Sequence, residues 1–129
     1  QTIFDKMEAA HKKKDPTDDA RLDADFHLSI IASSHNVIML HMMRSMYELL
    51  RNGVFYNRQK MFQQRTTRFE LLTQHEVINH AIQKRDPDAA RKAIEAHLDY
   101  VAKSQKNQRV SDKNEKVSKQ RFEHEKLRR

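Results

Sequence analysis

Three histidines and one aspartate are the residues of this chain whose types and spacing suit a shared chemistry. Asp23 and His27 are four apart, so on a helix they project from one face, about 40° from each other. Wound at about 100° per residue, His75 falls among Leu71, Ile78 and Ile82, and His97 among Ala90, Ala93, Ile94 and Val101. Four polar groups from three helices thus face apolar interiors. A buried imidazole requires partners for its ring nitrogens, and a buried carboxylate requires one for its charge. A divalent metal serves all four at once. An Asp/His/His/His set suits zinc, nickel, manganese or iron, and helical bundles build such sites from facing helices. A single inward histidine is more often a satisfied core residue; three with a carboxylate at i, i+4 reverse that reading. The other histidines lie elsewhere: His41 on a polar stripe, His80 about 140° round the helix from His75, His11 and His124 in charged segments, His35 at a helix end.

The elements that carry these residues are helices. One glycine and two prolines in 129 residues leave almost no turn chemistry for hairpins, while good helix formers dominate, so the fold class is all-α. The length suits one domain with one core. The absence of cysteine excludes disulfides and thiolate ligands, leaving imidazole and carboxylate to hold any metal. No apolar run reaches the roughly 20 residues of a membrane span, and Gln1–Lys6 is unlike a signal peptide; a soluble cytoplasmic protein is expected. The chain opens on Gln1 rather than methionine, and a piece of a longer protein is expected.

In order, Ile3, Phe4, Met7 and Ala10 make the stripe of a short first helix that ends in basic residues. Asp15-Pro16 breaks it, and a second helix carries Asp23 and His27 to about Ser34. Asn36 caps a third helix, expected from Val37 to about Met61. Its wide apolar arc, with Ile38, Met39, Met42, Met43, Met46, Leu49, Leu50 and Val54, predicts the central and most buried helix. Gln63–Thr67 separates it from a fourth helix bearing His75. Asp86-Pro87 then caps and opens a fifth helix that folds back antiparallel with His97. Residues 1–105 form the expected domain and 106–129 a basic tail, helical or disordered, with nine Lys or Arg against four acids. Its few large apolar residues make a solvated extension the expected reading, ahead of nucleic-acid contact.

The strings Asp23-Ala24-Asp25-Phe26-His27-Leu28, Ala32-Ser33-Ser34-His35-Asn36, Gln74-His75-Glu76, Arg85-Asp86-Pro87-Asp88-Ala89-Ala90 and Ala96-His97-Leu98 match a known pattern in order, type and spacing. Over residues 1 to 105 the chain resembles the C-terminal effector (FCD) domain of FadR-type regulators of the GntR family, and most nearly those that respond to lactate, glycolate or pyruvate. The resemblance implies an antiparallel helical bundle with Asp23, His27, His75 and His97 as ligands of a divalent metal, zinc foremost. A small carboxylate effector, a 2-hydroxy or 2-keto acid, binds beside the metal in that family, with Ser45, Asn52 and Tyr56 as the expected contacts here. It also implies a homodimer, and DNA binding through a winged helix-turn-helix that this chain does not contain. The helix that lends an arginine to the effector is likewise not in the chain. The expected function is a ligand sensor rather than an enzyme. A helical metalloenzyme is the alternative, weakened because Glu76 and Glu95 point about 100° and 160° from the neighbouring histidines.

Overall fold

The computed structural model describes residues 1–13, 16–49, 51–53 and 65–126, and Tyr56 lies outside them. The regular elements are helices: α1 (Thr2–Lys13), α2 (Pro16–Ser33), α3 (Val37–Ser45), α4 (Arg65–Gln83) and α5 (Pro87–Lys126). No described helix is long and apolar enough to cross a membrane. The chain divides into two compact units, Gln1–Ala93 and Ile94–Arg129.

The first unit is built by α1, which packs on α2 and α4, and by α2, which also packs on α3. Phe4, Met7 and Ala10 are the buried stripe of α1, as the spacing predicts. They meet Ala20, Leu22, Ala24 and Phe26 of α2 and Leu71, Ile78 and Ala81 of α4 in one apolar core.

Helix ends follow local chemistry. Asn36 caps α3, its side-chain oxygen accepting from the Met39 amide at 3.0 Å. At the α4–α5 turn the Arg85 amide donates to the Ile82 carbonyl and the Asp86 amide to the Ala81 carbonyl. This pairing closes the helix end on a left-handed residue, which is Arg85 at φ 56°. Asp86 then caps α5 by accepting from the Ala89 amide at 2.9 Å. Asp86→Ala is expected to lower stability by about 1 kcal/mol, read as a fall in the urea midpoint with an unchanged slope.

The third helix departs from expectation. It ends at Ser45, with a turn at Met46 and further helical residues at 47–49 and 51–53. It has no buried residue, and Ile38 within it and Leu49 beyond its end are 76% and 71% exposed. An apolar arc records that a face wants cover, not which element supplies it. Leu40 and Met43 of α3 and Tyr47 just beyond its end are half-buried, and the Tyr47 hydroxyl donates to Asp25 of α2 at 2.5 Å. That bond, together with burial and the Asp25 charge, raises the Tyr47 pKa above its ordinary value, because ionising the phenol would break the bond it donates and set a phenolate beside a carboxylate. The fourth helix begins at Arg65, so Arg65–Thr67 belongs to it rather than to a linker.

The second unit is helical throughout its described length, residues 94–126. With little apolar burial, the helix is supported by i, i+4 pairs with the acid on the N-terminal side, Asp99–Lys103 at 3.8 Å and Glu115–Lys119 at 2.7 Å, and by Gln108 donating to Asp112.

Candidate metal centre

Asp23 and His27 emerge one turn apart from α2, and His75 faces them from α4. Leu22, Ala24 and Phe26 are buried beside Asp23 and His27 on α2, and Leu71 and Ile78 are buried on either side of His75 on α4, so these polar residues share the inward faces. His75 is fully buried, Asp23 is 6% exposed, and the His27 side chain is 21% exposed. The Asp23 carboxylate lies between the two rings: Oδ1 is 3.4 Å from His27 Nε2, and Oδ2 is 3.7 Å from His75 Nε2. The ring centroids are 5.4 Å apart. Phe26 meets both rings edge-on, at 5.2 Å from His75 and 5.8 Å from His27, and holds them in place.

Both separations exceed a good hydrogen bond, whose N···O distance is about 2.7–3.2 Å. They are near the roughly 3.4 Å between neighbouring ligand atoms that metal–ligand bonds of about 2.0–2.1 Å give in a tetrahedral site. The donor set is also right in kind, neutral nitrogen and anionic oxygen without sulfur, so these residues fit a divalent ion.

His97 belongs to the second unit. It is 3% exposed, and Ala90, Ala93, Ile94 and Val101 on the same helix are half-buried, the stripe its spacing predicts. His27 and His75 of the first unit are among the histidines that could hold a metal ion. His41 and His80 are exposed, as are Glu76 and Glu95. Of the expected effector contacts, Ser45 is exposed and its hydroxyl donates to the Met42 carbonyl of its own helix, Asn52 is exposed, and Tyr56 is outside the described residues.

Sequence reasoning missed a buried ion pair beside this group. Asp19 Oδ2 accepts from Arg68 Nη2 at 3.1 Å, and the same nitrogen donates to the His11 carbonyl at 3.1 Å. The signal was present: Asp19 is four residues before Asp23, and Arg68 seven before His75, so both share the ligand-bearing faces. Also missed was Asn79, buried one turn after His75, which donates to the Gln1 side chain at 2.9 Å. A hollow of about 330 Å³ lies among α1, α2 and α4, lined in part by Phe4, Phe26, Ser29, Ser33 and Asn79.

Comparison with known proteins places this helical core, with its inward Asp and His side chains, in a family. Residues 1–100 match the FCD domain, and the chain belongs to that family. It is 38% identical over 88 residues to the putative L-lactate dehydrogenase operon regulatory protein of Escherichia coli K12 and to that of Shigella flexneri, covering 68% of this chain and 34% of each relative. It is 30% identical over 104 residues to the Glc operon transcriptional activator of Escherichia coli K12, covering 78% of this chain and 41% of the relative. The chain thus spans about a third to two-fifths of the length of these relatives. No solved structure matches it. The family and its relatives' names point to a transcription regulator, not to an enzyme.

Proposed function

We propose that this chain is the ligand-sensing part of a bacterial transcription regulator. Asp23, His27, His75 and His97 hold a divalent metal, zinc foremost, with nickel, manganese or iron as alternatives. A small 2-hydroxy or 2-keto carboxylate binds beside it and biases how attached DNA-binding domains are presented. The observation that carries the reading is the Asp23 carboxylate set between two imidazole Nε2 atoms at 3.4 and 3.7 Å. The ion, when bound, supplies a fixed positive charge for an anionic ligand. The chain's own residues supply the rest: Phe26 orients both rings, and the hollow it lines has room for a small acid, with Ser29, Ser33 and Asn79 as polar lining. The names of the lactate and Glc operon relatives support a small hydroxy or keto acid as the effector class. The whole regulator works as a cytoplasmic homodimer and reads DNA through a winged helix-turn-helix outside this chain.

This division of labour has a direct test. The chain alone is expected to show no preference for an operator over scrambled DNA of equal length at physiological salt. Its α4 turns His75 into the core, and its basic tail offers only a phosphate term, which falls with salt at a slope of about −0.9 per phosphate neutralised. Glu115, already paired with Lys119, further weakens that term. A competition titration in which the operator wins by more than about tenfold, or 1.4 kcal/mol, would place sequence recognition in this chain and overturn the proposal.

A further inference from the structure

We propose that Asp19 and Arg68 form a positioning pair for His75: the Asp19 carboxylate, clamped by Arg68, fixes the far side of the imidazole across a water-sized cavity and thereby sets the metal affinity of the site. The inference rests on the metal reading above and adds to it residues outside the ligand set.

Three observations converge on the pair. Both side chains are more than nine-tenths buried, at 6% for Asp19 and 9% for Arg68, and their contact is 3.1 Å. The Arg68 nitrogen that holds Asp19 also holds the His11 carbonyl, so one guanidinium ties α1, α2 and α4 together at this point. A cavity of about 10 Å³, lined by Met7, His11, Asp19, Leu72 and His75, joins the pair to the candidate ligand. That volume suits one water, which requires two to four polar partners, and Asp19, His11 and His75 can provide them.

The placement argues for more than stability. A buried ion pair is a weak stabiliser, because desolvation of both charges offsets their attraction, and apolar residues of similar size serve as well. Here the pair lies one turn of α2 from Asp23 and two turns of α4 from His75, beside a cavity that reaches a ligand. His75 turns Nε2 toward Asp23 at 3.7 Å, and the cavity that Asp19 lines reaches the same side chain. A metal-bound histidine is held in tautomer and orientation by what its other nitrogen donates to, and a carboxylate there, direct or through water, raises the basicity of the ligand nitrogen.

The test uses the full chain and zinc, with affinity read by competition against a chromophoric chelator at a temperature where every variant is folded. Asp19→Asn, which keeps the shape and removes the charge, is expected to weaken zinc binding by about 10- to 100-fold. Ala81→Gly, a buried site on α4 with no part in the cavity, is the control: it lowers the melting temperature of the metal-free chain and is expected to leave zinc affinity within about twofold, since a folded site keeps its ligands. Should Asp19→Asn fail to fold, the wild-type chain still decides: its His75 ring is expected in the Nδ1–H form, with a slowly exchanging proton in the imidazole ¹H–¹⁵N spectrum. Zinc affinity unchanged in Asp19→Asn, or an unprotonated Nδ1 in the zinc-loaded wild type, overturns the positioning role while the metal site stands. A wild-type chain that binds no zinc or other divalent ion overturns both.

Discussion

Alanine in place of His75 is expected to leave the folded chain unable to retain its metal. The ring is fully buried, its Nε2 faces the Asp23 carboxylate at 3.7 Å, and its edge-on contact with Phe26 fixes where that nitrogen sits. Alanine removes a nitrogen donor and leaves a cavity that no other histidine on α4 can fill, because His80 is exposed. The affinity loss should exceed about 100-fold, since losing only a hydrogen-bond partner of a ligand typically gives 10- to 100-fold. His80→Ala is the matched control and should bind metal as the wild type does. Metal content after dialysis, with melting of the metal-free forms, separates the two effects of His75→Ala: lost packing lowers the metal-free melting temperature, whereas lost ligation removes the rise that metal produces. A His75→Ala chain that is folded and holds metal like the wild type would show that the buried imidazole is only a core residue.

The inward placing of Asp23, His27, His75 and His97 was legible because helix period links spacing to direction. Asp23, His75 and His97 are buried and His27 partly so, while His41 and His80 are exposed, as their positions on the helical wheel imply. The caps were legible for the same local reason, since Asn36 and Asp86 act on amides three residues ahead. The third helix was not. Its apolar arc reads like that of a central helix, yet Ile38, Met42 and Leu49 are exposed, and of the arc Met43 alone joins Leu40 and Tyr47 in the half-buried stripe among the described residues. Periodicity fixes an element's own faces; which neighbour lies against them depends on contacts distant in sequence. The Asp19–Arg68 pair, 49 residues apart, was hidden likewise, since charge on an otherwise inward face reads as an exception until both partners are seen together.

Small 2-hydroxy and 2-keto monocarboxylates are expected to raise the melting temperature of the metal-loaded chain and to leave the metal-free chain unmoved. A ligand that binds only the folded state stabilises it by mass action, by about 2.7 kcal/mol at 100 times its dissociation constant. The metal requirement follows from charge. A carboxylate brought near Asp23 without an intervening cation meets like charge at low dielectric, which opposes binding. Lactate, glycolate and pyruvate are the first acids to try. Chelation should abolish the shift and restored zinc should return it. A shift of equal size with and without metal would move the acid's site away from Asp23, and no shift with any of the acids in the metal-loaded chain would remove the small carboxylate from the proposal.

The sensor proposal depends most directly on whether Asp23, His27, His75 and His97 hold an ion at all. The deciding measurement is elemental analysis of the wild-type chain, purified without chelators and dialysed against metal-free buffer after loading with zinc. One tightly held divalent ion per chain is expected, and its release by acid or a strong chelator should lower the melting temperature. Loss of all metal on dialysis, with melting unchanged by zinc or by nickel, manganese or iron, would contradict the proposal.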